Sequence, residues 1–140
     1  MIVSTTLTGS NADISGDALA SVLRQVDRCI VIDTGAQDDT VDVARRVAGD
    51  KLLLHRFPWK DDFAAARNFA LGAAAKAGAT WALTLDTDER LLFDRDFDLA
   101  RGLARTQAQV CMVADDVGSY SKERIVRLPA KVRWEGPTHE

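Results

Sequence analysis

The sequence predicts an α/β fold with a mainly parallel central sheet, helices on both faces and an antiparallel C-terminal portion. Up to residue 90, strand-length apolar runs alternate with segments whose apolar residues recur at helical spacing, and the connections are short. Residues 29–32 are continuously apolar, as in a strand that is covered on both faces. After residue 90, two apolar runs flank a polar turn containing Gly118, which is typical of an antiparallel pair.

The strand predictions rest on short runs that are rich in β-branched and aliphatic side chains. In the first part of the chain they cover residues 2–7, 28–33, 51–57 and 80–85. Further on, residues 110–113 and 124–128 form the predicted antiparallel pair, and residues 132–134 are expected to add a last short strand.

The helix predictions rest on apolar residues that recur every three or four positions. Three helices are predicted to begin near residues 17, 40 and 63, and a short fourth helix is expected at residues 99–104. The third helix is rich in alanine, so we expect it to pack closely on the sheet. Serine and aspartate residues stand where N-caps would lie: Ser15 or Asp17, Asp38 or Asp39, and Asp61 or Asp62.

Composition points to an ordinary globular domain: 140 residues, of which 46% are apolar and 28% charged. We expect residues 1–140 to form one domain that is incomplete at its C terminus, because the sequence stops just after a turn. A net charge of −3 gives no basic surface for nucleic acid or an anionic membrane. Neither a signal peptide nor a transmembrane segment is recognisable. Cys29 and Cys111 lie in apolar runs, so we expect buried free thiols and a cytoplasmic location, with a disulfide between them as the alternative.

Residues 80–90 are the most informative stretch, because a predicted buried strand ends there in acid. Asp86, Asp88 and Glu89 follow the apolar run directly. Asp86 and Asp88 are two residues apart, so on an extended backbone they point to the same side. Carboxylate oxygens suit Mg²⁺ or Mn²⁺. The pattern predicts either a divalent cation site at the sheet edge or an acidic turn after a strand.

Two further residues are candidates for binding a nucleotide. Asp33 ends a predicted strand, where a carboxylate can accept hydrogen bonds from ribose or base; alternatively it forms the turn before Gly35. Arg67 stands among small apolar residues, where a guanidinium can bind a diphosphate with two parallel hydrogen bonds; alternatively it extends past the apolar face to solvent or pairs with Asp62. The carboxyl ends of parallel strands share one edge of a sheet, so Asp33 and Asp86 are expected to face one cleft.

Four segments stand out together: residues 31–40 (VIDTGAQDDT), 57–70 (FPWKDDFAAARNFA), 81–89 (WALTLDTDE) and 133–140 (RWEGPTHE). In this order they resemble the family 2 glycosyltransferases, which have the GT-A fold, and the resemblance covers nearly the whole chain. It implies an enzyme that moves a sugar from a nucleotide diphosphate donor, most readily a UDP-sugar, to an acceptor hydroxyl. It also implies inversion at the anomeric carbon and a divalent cation, Mn²⁺ or Mg²⁺.

The resemblance further implies roles for residues of the donor half. Thr5 and Thr6 would lie near the nucleobase, and Asp33 would bind base or ribose. Arg67 would contact the nucleotide or its diphosphate. Asp86 is implied to touch ribose and metal, and Asp88 to ligate the metal directly.

The sequence identifies fewer residues for the acceptor half of the site. Glu140 is the first candidate for the catalytic base, followed by Asp115 or Asp116. His139 is an expected ligand of the metal or the diphosphate, or else an ordinary surface histidine. Two other functions stay open: a non-catalytic nucleotide-sugar-binding module of the same fold, and a nucleotidyltransferase-like enzyme, for which residues 8–11 are a poor phosphate loop.

Overall fold

The computed structural model describes residues 1–138, and within them a six-stranded sheet forms the centre of the molecule. The strands are β1 (Ile2–Thr8), β2 (Arg28–Asp33), β3 (Leu52–Arg56), β4 (Trp81–Thr84), β5 (Val110–Ala114) and β6 (Ser121–Arg127). Their order across the sheet is β3-β2-β1-β4-β6-β5. The first four are mutually parallel, and β6 runs antiparallel to both β4 and β5. The predicted parallel sheet with an antiparallel C-terminal part is therefore confirmed.

Helices cover both faces of the sheet, as predicted. They are α1 (Ser15–Val22), α2 (Thr40–Ala48), α3 (Phe63–Lys76) and α4 (Leu99–Ala104), with a 3₁₀ turn at Gly49–Lys51. Side chains alternate across β2, so Cys29 and Val31 enter the core beneath α1, α2 and α4, whereas Ile30 and Ile32 enter the core beneath α3. All four are fully buried. The continuous apolar run in the sequence is thus explained by helices on both sides.

The helix caps agree with the predictions in part. Asp62 caps α3, because its Oδ1 accepts a hydrogen bond from the backbone N–H of Ala65 at 2.8 Å. The predicted cap of α1 is wrong: Ile14 occupies the N-cap position, and no side chain caps it. Instead the carbonyl oxygen of Asn11 accepts from the N–H groups of Ile14 and Ser15, so the preceding loop satisfies the first donors.

Residues 132–134 do not form the short strand predicted for them. The backbone N–H of Trp134 donates to Asn68 Oδ1 at 2.9 Å, and its carbonyl accepts from Asn68 Nδ2 at 2.8 Å. A side-chain amide on α3 thus satisfies the polar backbone groups that a neighbouring strand would otherwise have paired.

Two smaller predictions concern the cysteines and the membrane. Cys29 and Cys111 are free thiols, the first buried and the second half-buried, so the disulfide alternative is not seen. Among the described helices, none combines the length and apolarity that a membrane crossing requires.

Candidate functional site

A cleft of about 720 Å³ opens at the carboxyl ends of β1, β2 and β4. The chain passes from β1 outwards to β2 and β3, and then crosses to β4 on the other side of β1. In open α/β sheets, ligands bind at the point where the strand order reverses in this way. The volume is in the usual range for a small-molecule site. The cleft is lined by Leu7, Thr8, Gly9, Asn11, Ile14, Thr34, Gly35, Trp59, Phe63, Arg67, Asp86, Thr87 and Asp88.

The acidic stretch after β4 forms a closed turn at one wall of this cleft. The N–H of Glu89 donates to the carbonyl of Asp86 at 3.1 Å, and Glu89 Oε2 accepts from the N–H of Asp86 at 3.2 Å. Glu89 therefore holds the turn together. Asp88, at its tip, is exposed and lines the cleft.

The carboxylate of Asp86 lies between two arginines. Arg67 Nη2, from α3, is 3.2 Å from Oδ1, and Arg124 Nη2, from β6, is 3.0 Å from Oδ2. Arg67 thus pairs with Asp86 and not with Asp62, which was the alternative drawn from the sequence.

Arg124 is the functional candidate that sequence reasoning missed. Its side chain is 5% exposed and bridges Asp86 and Glu89. Burial acts to raise the pKa of Glu89, but the hydrogen bond and charge of Arg124, together with Lys122, outweigh it and hold the pKa below its usual range. The only sequence signal was a cation beside the apolar pair Ile125 and Val126, and that does not identify its partners.

Asp33 shapes the loop beside the cleft. Its Oδ1 accepts from the N–H groups of Gly35 and Ala36 at 2.9 and 2.8 Å, and its Oδ2 is 3.6 Å from Arg56 Nη2. The hydrogen bond from Ala36 is the main cause that lowers the pKa of Asp33 from its ordinary value, and the bond from Gly35 acts in the same direction. The residue is 5% exposed, and the adjacent Thr34 and Gly35 form the cleft wall.

Thr5 and Thr6 lie below the cleft. They are 3% and 0% exposed, because β1 continues past them to Thr8, one residue beyond the end that the sequence predicted. The β1 residues that reach the cleft are Leu7 and Thr8.

An aromatic pair also lines the cleft. Trp59 and Phe63 meet edge to face, with ring centroids 4.6 Å apart, and each is 39% exposed. The backbone N–H of Trp59 donates to the Thr34 carbonyl at 3.3 Å, which ties this aromatic pair to the loop after β2.

A second cavity of about 650 Å³ shares Asp88 with the cleft and includes Asp115, Asp116 and Arg124. Asp115 accepts from the Ser119 hydroxyl at 2.5 Å and from the N–H groups of Ser119 and Tyr120. The bond from Ser119 Oγ is the main cause of its lowered pKa. Asp115 therefore organises the turn between β5 and β6. His139 and Glu140 lie outside the described residues.

The carboxylates at this edge suit a hard divalent cation only in combination with a ligand. Among residues 1–138, no three His, Cys, Asp or Glu side chains form a ready cation cage. Mg²⁺, however, is commonly held by one or two carboxylates together with substrate phosphates. Asp86 and Asp88 provide oxygen donors of that kind beside an open cleft.

Comparison with known proteins adds a family and a fold. The family model described as glycosyl transferase family 2 matches residues 11–138. A TPR repeat-containing protein of Synechococcus elongatus is 38% identical over 135 residues, which is 92% of this chain and 32% of the relative. The chain thus spans about a third of the length of that curated protein.

Two solved structures are similar in fold, and each is 19% identical to this chain. One is S. aureus TarS 1–349, with a TM-score of 0.51 over 64% of this chain and 28% of that one. The other is the mannosyltransferase PcManGT from Pyrobaculum calidifontis in complex with GDP-Man and Mn²⁺, with a TM-score of 0.52 over 66% and 28%. At this identity the likeness concerns the fold alone.

Proposed function

Because this chain belongs to glycosyl transferase family 2 and has the GT-A fold, we propose that its cleft binds a nucleotide diphosphate sugar for inverting transfer to an acceptor hydroxyl. The observation that carries the proposal is that Arg67, Asp86 and Asp88 line one open cleft, with the buried Arg124 bound to Asp86. Cations and carboxylates together are what a diphosphate and its counter-ion require.

The charged and aromatic side chains that line the cleft fit the two parts of a donor. Arg67 and Asp86 provide the charge that suits the diphosphate, whereas the exposed rings of Trp59 and Phe63 suit the flat face of a base. Asp33 would act on the nucleoside chiefly by ordering the loop at Thr34, since one of its oxygens already accepts two backbone hydrogen bonds.

Asp86 and Asp88 would hold Mn²⁺ or Mg²⁺, which stabilises the negative charge that grows on a diphosphate leaving group. Arg67 lines the same cleft and would exchange its bond with Asp86 for bonds to diphosphate oxygens. Arg124 would keep Asp86 in place throughout, because its buried guanidinium contacts both Asp86 and Glu89.

The acceptor would approach from the second cavity, which meets the donor cleft at Asp88. Inversion requires a base on the face of the sugar opposite the diphosphate. Asp115 lines this cavity, but its carboxylate already accepts three hydrogen bonds in the turn, so we favour Glu140 as the base, with His139 assisting at the metal or diphosphate.

For the donor, a UDP-sugar is our first choice. GDP-Man is the second, because the solved mannosyltransferase was obtained with it. Two free thiols support action in a reducing compartment such as the cytoplasm.

Calorimetric titration of the chain with UDP, GDP and their sugars, with and without MnCl₂, tests the proposal. We expect binding that strengthens with Mn²⁺, and we expect Asp88→Asn to abolish the strengthening. Asp42→Asn, an exposed carboxylate on α2, is the matched control and should change nothing. Absence of binding to every nucleotide by the folded chain would refute the proposal. Transfer or hydrolysis of the bound donor separates an enzyme from a binding module.

A further inference from the structure

Arg67 is packed against an aromatic ring as well as bonded to Asp86. Its guanidinium carbon lies 4.9 Å from the centroid of the Trp134 ring, within the range of a cation–π interaction. The Arg67 side chain is 14% exposed, and Trp134 is half-buried against the core beneath α3. The guanidinium is therefore confined between an indole and a carboxylate.

The ring is held in place by the next residue of the helix. Asn68 both donates to and accepts from the backbone of Trp134, through its side-chain amide. Three residues further along the chain, the carbonyl of Pro137 accepts from the N–H of Phe63 at 2.9 Å. Residues 134–137 are thus bound to the first turns of α3, the helix that carries Arg67.

We propose that Trp134 is a positioning residue for Arg67, and that Asn68 fixes Trp134 for this purpose. An arginine that is free to rotate loses conformational entropy when it binds a phosphate, whereas one already confined by a ring loses less. Trp134 would thereby favour diphosphate binding without touching the nucleotide. This inference rests on the proposed function, in which Arg67 meets the diphosphate.

Trp134 also packs on the core, so the test must separate positioning from general support of the fold. Positioning predicts a loss confined to ligands that carry a diphosphate. General support predicts an equal loss for a diphosphate and for the bare nucleoside, because a loosened cleft weakens both.

The experiment is an NMR titration of four variants with UDP or GDP, whichever wild type binds more tightly, and with the matching nucleoside. Trp134→Leu should weaken diphosphate binding by about tenfold and nucleoside binding by less than about twofold. Trp134→Phe, which keeps an aromatic face, should recover most of the diphosphate affinity. Asn68→Asp keeps an acceptor for the Trp134 N–H but loses the donor, and should resemble Trp134→Leu. Val132→Ala, in the same segment, is the matched control.

Equal losses of affinity for the diphosphate and for the nucleoside would overturn the inference. An unchanged affinity for the diphosphate in Trp134→Leu, or in Asn68→Asp, would overturn it as well. If Trp134→Leu does not fold, Asn68→Asp and Trp134→Phe decide the question between them.

A second readout needs no nucleotide and separates this inference from the proposed function. The guanidinium signals of Arg67 should carry a ring-current shift in wild type and Trp134→Phe that is lost in Trp134→Leu. If wild type binds no nucleotide but the shift is present, the proposed function fails while the contact stands. If the Arg67 signals are the same in wild type and Trp134→Leu, the positioning role fails whatever the nucleotide does.

Discussion

A single carboxylate, Asp86, connects three elements of the molecule: the turn after β4, helix α3 through Arg67 and strand β6 through Arg124. The two arginines differ in their surroundings. Arg67 lines the open cleft, whereas the Arg124 side chain is 5% exposed, so its charge depends on Asp86 and Glu89 for compensation. We therefore expect Arg124 to matter for stability and Arg67 for binding.

Replacing Arg124 by Met should lower the free energy of unfolding by about 2 kcal/mol, less than for a fully buried pair because both carboxylates are partly hydrated. Urea denaturation measures the loss. Arg45→Met removes an exposed ion pair with Asp42 on α2 and should cost less than about 0.5 kcal/mol. Similar values for the two variants would contradict the special role of Arg124.

The lowered pKa of Asp33 leads us to expect that the stability of the fold depends on pH. Its pKa is lower in the folded chain than in the unfolded chain, chiefly through the hydrogen bond from Ala36, so the unfolded state binds more protons between the two pKa values. The stabilisation is complete above about pH 4 and is lost as the pH falls through the folded pKa.

Asp33→Asn keeps an acceptor oxygen but removes the charge, and should cost about 1 kcal/mol at pH 7. Urea denaturation at pH 7 and pH 3 measures the difference from wild type, which should shrink at pH 3. A difference that stays constant with pH would show that the charge is not responsible.

Phe63 is expected to carry part of the affinity for the base. Phe63→Ala should weaken nucleotide binding by about 1–2 kcal/mol, since base–aromatic stacking has roughly this value. Phe97→Ala is the matched control: its ring is 45% exposed and stacks on Phe93 away from the cleft. Calorimetry with the preferred nucleoside diphosphate compares them, and an equal effect of both variants would argue against stacking at Phe63.

At the scale of elements, the alanines of α3 allow it to lie close to the sheet. Ala74 is fully buried beneath the helix, whereas the next residue, Ala75, is exposed. Ala74→Leu should therefore lower the free energy of unfolding by about 2 kcal/mol through overpacking, and Ala75→Leu should change it by less than about 0.5 kcal/mol. Thermal or urea denaturation distinguishes the two. A stable Ala74→Leu protein would mean that the helix can move away from the sheet.

Sequence periodicity was sufficient for most elements, because a two-sided core requires apolar residues at fixed spacings. It located β2 and α4 with the observed bounds and the other strands to within a few residues. It failed where a distant partner decides the local structure. Asn68 holds Trp134 out of a strand, and the Asn11 carbonyl takes the place of a side-chain cap on α1.

Three residues that line the cleft could be picked out from the sequence for a similar reason. Asp86, Asp88 and Arg67 stand in a local pattern at a strand end and on the preceding helix. Arg124 could not be found, because its place depends on register: β6 pairs Ile125 with Leu83 in antiparallel sense, which carries the preceding residue towards the turn after β4. Such a contact spans 38 positions of sequence and has no local sign.

At the scale of the whole molecule, residues 1–138 of this glycosyltransferase family 2 chain build one six-stranded sheet with a cleft at one edge. The parallel strands β3, β2, β1 and β4 support the cleft, and the antiparallel pair adds the buried arginine and a second cavity. The charged and the aromatic side chains of the cleft thus come mainly from helix α3 and from loops at the carboxyl ends of the strands.

The place of β6 between β4 and β5 has a consequence for synthesis on the ribosome. β5 leaves the ribosome before β6 but lies outside it in the sheet, so β5 cannot join the parallel strands until β6 connects it to β4. The parallel strands can assemble first, in keeping with N-terminal parts folding early. β6, the last of the described strands to be synthesised, then completes the sheet. Its pairing with β4 also brings Arg124 into contact with Asp86.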